Sequence, residues 1–227
     1  MIQNLYHIRF ELFLATQVFI LFGSLFVPYD IHENVLLPIL FLLNISAGIL
    51  LISKRKKLSW LFVALFLVSL FIFGSSMFSR SGEGQILMRL SVYFLFHVIV
   101  AWNIIQQVWK AEKVGKNVII GLISGYISLG FLAFFLFLSI ELLEPGSFQG
   151  PLLDENDFNI RADGIMYYAY ITLLTIGYGE IVPATPVAQK AAILVGLVGQ
   201  FYLVILTAIV VGKFINQSTT AGQRKKP

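Results

Sequence analysis

Residues 175–180 read Thr-Ile-Gly-Tyr-Gly-Glu. The alternate glycines, Gly177 and Gly179, can adopt φ > 0 without a Cβ penalty, so successive carbonyls can point the same way. A ring of such strands directs the carbonyls of Thr175, Ile176, Gly177 and Tyr178, with the Thr175 hydroxyl, at a central axis. There they can replace the water shell of a dehydrated cation. This is coordination without bond making. The sequence has no cysteine and only three widely spaced histidines, His7, His32 and His97. Disulfides and thiolate chemistry are excluded, and a histidine zinc site is disfavoured. No nucleophile–base or metal constellation is present, so an enzyme is not expected.

Irregular backbone of this kind is tolerated at membrane depth only where protein buries it or a water path runs beside it. The composition supplies that setting. Of 227 residues, 58% are apolar, 15% aromatic and only 12% charged, with mean hydropathy +0.84, too few charges to cover a soluble surface. Apolar runs at 10–27, 35–53, 58–78, 86–109, 118–143 and 187–215 are each long enough to span a bilayer core, which needs about 18 residues or more. The run 164–176 is too short to span and reads as a re-entrant segment before the sixth span. Asp163 is a good N-cap for a helix running to about Leu174. The C-terminal end of that helix would aim partial negative charge at the inner mouth and favour a cation there. The expected fold is an all-α membrane protein of six transmembrane helices, a re-entrant pore helix and a filter strand. No small-residue cleavage pattern follows the first apolar run, so it is read as a span.

Lys54–Lys57, Lys110, Lys113, Lys116, Arg9, Lys213 and Arg224–Lys226 fall on one side of these spans. Most acids, among them Asp30, Glu33, Glu141, Glu144, Asp154, Asp163 and Glu180, fall on the other. The basic side is cytoplasmic, which places both termini inside. Topology accounts for the basic runs, and no nucleic-acid partner is expected.

In this setting Thr175–Gly179 resembles the selectivity filter of the tetrameric potassium-channel family, whose signature is Thr-Val-Gly-Tyr-Gly; here Ile176 adds one methylene. The resemblance is close over 118–215. The first four spans match only in number and in placing both termini inside. It implies a homotetramer in membrane lipid, K+ as the permeant ion at Thr175, Ile176, Gly177 and Tyr178, and no organic cofactor. It also divides the chain into a sensor-like four-helix unit (1–109), a cytoplasmic linker (110–117), a pore domain (118–215) and a short basic tail (216–227). Glu180 stands where most members carry Asp, Ile171 where some carry a Glu behind the filter, and Leu174 where a second Thr is common. These departures bear on inactivation more than on ion preference. Tyr167 is either a hydroxyl donor to Glu180 behind the filter or a membrane-facing aromatic. Gly199 matches the inner-helix gating hinge, with close helix packing as the alternative, and packing is the reading for Gly196, Gly121 and Gly125. Gln200, Leu203 and Thr207 share one helical face, which the family pattern turns toward the cavity; a hydrogen bond to a neighbouring helix is the alternative for Gln200.

A voltage sensor needs several arginines at every third position of its fourth span. Here that register gives Ile86, Arg89, Val92, Leu95, Val98 and Ala101. Arg89 stands alone, with Glu83 its nearest acidic neighbour on the adjoining loop. His97 is a packing histidine or, less simply, a pH sensor. The residues therefore point to a multi-pass cell-membrane protein, in a plasma or bacterial cytoplasmic membrane, that conducts K+ passively without strong voltage gating. The alternatives are a cation channel of relaxed selectivity and a non-conducting ion-sensing or assembly subunit.

Overall fold

A computed structural model describes residues 8–52, 56–78, 83–155 and 157–223. Helix α1 covers Arg9–Phe22. Helix α2, Tyr29–Ile31, continues without a break through a π-helical turn, His32–Leu36, into α3, Leu37–Ile52. Then follow α4 (Lys56–Phe78), α5 (Glu83–Lys110) and α6 (Lys116–Leu143). After a loop come α7 (Phe158–Leu173) and α8 (Pro186–Phe201). A second π-helical turn, Tyr202–Leu206, leads from α8 into α9 (Thr207–Gln223). Two short strands, β1 (Phe148–Gln149) and β2 (Val182–Pro183), pair antiparallel with Phe148 opposite Pro183. The protein is mostly helical.

Three of the described helical stretches are long and apolar enough to cross a membrane: Leu90–Lys110, Lys116–Leu143 and Pro186–Gln217. Leu37–Ile52 and Leu58–Phe71 are apolar but shorter. Helix α1 has 14 residues, about 21 Å at 1.5 Å per residue, less than a hydrocarbon core of about 30 Å.

Phenylalanine fills the core. Phe13, Phe62, Phe96, Phe131, Phe135 and Phe137 are fully buried. Phe96 lies 5.1 Å from the Phe62 ring and 6.4 Å from Phe13, and a Cβ on Gly48 would overlap it. Lipid tails are as apolar as these side chains, so polar contacts carry much of the register between helices. Gln17 on α1 donates to Ser128 Oγ (2.8 Å) and to the Ser124 carbonyl (3.2 Å) on α6. Asn44 on α3 donates to Thr16 Oγ1 at 2.8 Å. Near the starts of α1 and α6 Glu11 pairs with Lys116 at 3.1 Å. His97 is buried against the Phe96, Phe131 and Phe135 rings, its Nδ1 2.9 Å from the Tyr93 carbonyl. It faces aromatic rings rather than carboxylates, the setting of a packing histidine. Arg89 lies on α5, and its side chain and that of Glu83 fall outside the described residues.

Candidate functional site

Helix α7 leads into the strand that begins at Thr175, and it starts earlier than the sequence suggested. Asp157, not Asp163, is the N-cap: its carboxylate accepts from the Asn159 amide at 2.7 Å. Asp163 lies inside the helix and accepts from the Tyr29 hydroxyl on α2. The back of α7 is aromatic. Tyr168 sits 5.1 Å from the Phe137 ring and 5.3 Å from Phe148. Tyr170 packs where a Cβ on Gly130 would stand, and its hydroxyl donates to the Ile127 carbonyl at 2.8 Å.

At the end of α7 the chain folds back and ties its amides to the helix's last carbonyls. Leu174 N donates to Tyr170 O (2.9 Å), Thr175 N to Thr172 O (3.0 Å) and Ile176 N to Ile171 O (2.8 Å). The strand then alternates. Thr175, Gly177 and Gly179 have φ of 57°, 57° and 97°. Glycine takes this region freely, but Thr175 is the only described non-glycine residue there, and a β-branched residue in it is strained. Thr175–Glu180 are all exposed, and a Cβ on Gly177 or Gly179 would meet no atom within 4 Å. One chain therefore presents the strand without enclosing it.

Behind the strand the Glu180 carboxylate accepts from the Tyr167 hydroxyl, which pushes that hydroxyl up to about 12. After Glu180 the chain is pinned to the loop that follows α6. Ala184 N donates to Ser147 O at 2.8 Å beside the β1–β2 pair, and Ile181 is buried. The Glu141 carboxylate at the end of α6 accepts from the Gly146 and Phe148 amides, both at 2.9 Å. These bonds fix the height of the loop on which β1 lies.

Helix α8 opens with Thr185 accepting from Ala188 N and Pro186 in the first turn. Its packed face runs through Ala188, Ala191, Val195 and Gly199. Gly199 permits the closest approach, because a Cβ there would overlap the Leu173 carbonyl oxygen; a Cβ on Gly196 would meet nothing within 4 Å. Within one chain the close packing therefore falls on Gly199 rather than Gly196. A Cβ on Gly125 would likewise overlap the Tyr202 hydroxyl, and one on Gly121 would crowd Phe10. Gln200, Leu203 and Thr207 lie off the packed face, exposed, with no hydrogen bond from Gln200 to another helix of its own chain among the described residues.

Three contacts had no counterpart in the sequence reading. Tyr126 on α6 donates to Leu173 O at 3.1 Å, and Tyr202 donates to Leu122 O at 2.6 Å. Lys213 Nζ reaches the Trp109 and Ala111 carbonyls at 2.5 and 2.9 Å, where α5 ends. The available signal was a phenol inside an apolar run, since a buried hydroxyl finds a partner.

Residues 121–216 match a family model described as ion channel. The matched stretch takes in most of α6, all of α7, the strand after it, and the helix that begins at Pro186. This similarity supports ion-channel activity for a helical membrane protein. No curated protein and no solved structure matches the chain.

Proposed function

We propose that the chain is one subunit of a homotetrameric, K+-selective channel in which ions pass between carbonyls of Thr175, Ile176, Gly177 and Tyr178. The observation that carries the reading is the backbone at Thr175, Gly177 and Gly179: left-handed φ at alternate residues, on an exposed strand that leaves the C-terminal end of α7. Alternation turns neighbouring carbonyls to one side, and four such strands supply rings of oxygens that replace water around a dehydrated cation. The exposure of the strand fits a site completed by other copies. So does the exposure of Ile193, Leu197 and Phe201 on α8 and of Val204 in the turn after it, a large apolar surface for copies and lipid to cover. In this arrangement 118–215 forms the pore, with 1–109 as a six-span subunit's peripheral unit and both termini inside. Gly199 is the point about which the inner helix bends, and the π-helical turn that begins three residues later, at Tyr202, already interrupts the regular ladder. Gln200, Leu203 and Thr207 line the water-filled cavity, and the Tyr167–Glu180 bond braces the filter from behind.

The test is cation flux from purified protein in liposomes. A K+ gradient should set the membrane potential while an equal Na+ gradient does not. Gly179→Ala should relax or abolish that preference, because alanine is strained at φ 97°, and the oligomer should survive. Equal K+ and Na+ permeability in the unaltered protein would indicate a channel of relaxed selectivity. Absence of flux would indicate a sensing or assembly subunit.

A further inference from the structure

We infer that the Tyr126 hydroxyl is a positioning group for the filter, holding the last carbonyl of α7 in the orientation that conduction requires. This deepens the K+-channel reading and rests on it.

A helix ends with four carbonyls that lack intrahelical partners. For α7 these are Tyr170, Ile171, Thr172 and Leu173. Three are taken by the chain's own next residues: Tyr170 O by Leu174 N, Thr172 O by Thr175 N, and Ile171 O by Ile176 N with Gly177 N at 3.4 Å. The fourth, Leu173 O, accepts from Tyr126 Oη, 47 residues upstream on α6. The turn into the filter is thus closed by four local amides and one distant phenol.

The opposite helix meets the same oxygen. Gly199 of α8 lies so close to Leu173 that an added Cβ would overlap its carbonyl oxygen and crowd its carbonyl carbon. Leu173 O is therefore held between a hydroxyl on α6 and bare backbone on α8. The Tyr126 ring is in turn 5.5 Å from the Tyr202 ring, and Tyr202 opens the π-helical turn and bonds back to α6 at Leu122 O. A displacement of α8 at Gly199 presses on Leu173, and the Tyr126 bond decides whether that carbonyl yields. If it rotates, the peptide plane between Leu173 and Leu174 rotates with it, two residues before the innermost carbonyl of the filter, that of Thr175.

Tyr170 provides the control. Its hydroxyl also donates to a carbonyl across the same helix pair, at Ile127. Ile127 lies in the middle of α6, where helix geometry already supplies an amide four residues on. Removing the Tyr170 hydroxyl leaves no acceptor without a donor; removing that of Tyr126 does.

The experiment compares the full-length chain with Tyr126→Phe and Tyr170→Phe in liposomes. It reads the K+/Na+ permeability ratio from reversal potentials and the assembly state by native mass. Tyr126→Phe should lower the ratio by about tenfold, equivalent to about 1.4 kcal/mol, with assembly intact, while Tyr170→Phe keeps the wild-type ratio. A wild-type ratio in Tyr126→Phe would overturn the inference. So would an equal fall in both variants, which would mark a general loosening, or loss of assembly in Tyr126→Phe, which would assign the hydroxyl to packing. A wild-type protein with no K+ preference would instead remove the channel reading itself, and the inference with it.

Discussion

Gly196 and Gly199 lie on one helix, yet a methyl group added to each meets different surroundings. At Gly196 it enters space that the chain's own atoms leave open; at Gly199 it runs into main-chain oxygen, which cannot move aside as a flexible side chain would. Gly199→Ala should therefore lower thermal stability by about 1–3 kcal/mol, the usual range for overpacking, as well as alter gating. Gly196→Ala should leave stability unchanged if that face meets water or lipid. Melting curves of the detergent-solubilised variants, read beside open probability, separate the two effects. The cluster of Tyr29, His32, Glu33 and Asp163 makes a second prediction at this scale. Burial raises the Glu33 carboxyl above the ordinary carboxylate range, with Asp163 adding to the rise and His32, 2.9 Å away, opposing it. Burial also raises Asp163, against the Tyr29 bond and the His32 charge, although part of its carboxylate meets solvent. A raised carboxyl favours the protonated form in the folded chain. Its contribution is complete below the ordinary carboxylate pKa of about 4 and is lost as pH rises through the raised value. Thermal stability should accordingly decline as pH rises from about 4 across the mildly acidic range, and Asp163→Asn should flatten the profile. A flat profile in the wild type would show that these carboxyls carry no linkage.

At the scale of elements, the end of α5 and the helix α9, which continues α8, are clasped together. Lys213 Nζ caps the carbonyls of Val108, Trp109 and Ala111, while Gln217 Oε1 accepts from Val114 N at 2.9 Å. A cation at a helix C-terminus is stabilised both by direct hydrogen bonds and by the partial charge there. Lys213→Met keeps the apolar stem and removes the cap. It should cost about 1–2 kcal/mol and shift open probability, measured by melting and by single-channel recording; an unchanged open probability would leave the clasp purely structural. This clasp and the tyrosine bonds were not legible in the sequence. Their acceptors are main-chain carbonyls, which every residue carries alike, so no residue type announces them. The alternating backbone at Thr175–Gly179 was legible because its demand is local: glycine at alternate positions is a backbone requirement written into the residues themselves. The start of α7 was misread for a related reason. Asp157 and Asp163 have the same capping chemistry, and the polar Asn159 and Arg161 made the first turns resemble loop. The π-helical turns at His32–Leu36 and Tyr202–Leu206 left no compositional mark, since each is an extra residue accommodated by tertiary packing.

Across the whole molecule, gating charge is scarce. Moving one charge through 100 mV is worth about 2.3 kcal/mol, and steep voltage gating uses about 3–4 charges in each of four subunits. The three-residue register of α5 offers Arg89 alone, near the end that faces outward in the proposed topology. A conductance–voltage curve in planar bilayers should be shallow and unmoved by Arg89→Gln. A steep sigmoid that flattens in the variant would restore a voltage sensor to the helices before residue 110. Of these, α1, α3 and α5 grip α6 firmly, through Gln17 on Ser124 and Ser128, Glu11 on Lys116, and the ring stack of Phe41, Tyr93 and Phe135.

That grip is made within a single chain, and it has a consequence for inheritance. In the proposed tetramer, when two alleles are expressed together and copies assemble at random, a lesion in α1 would stay with the quadrant built by its own polypeptide. Such a lesion should act in proportion to gene dosage, each altered copy subtracting its share. A lesion in the proposed filter strand, where every copy would face the same ion, should silence an assembly from a single altered copy and behave as a dominant trait.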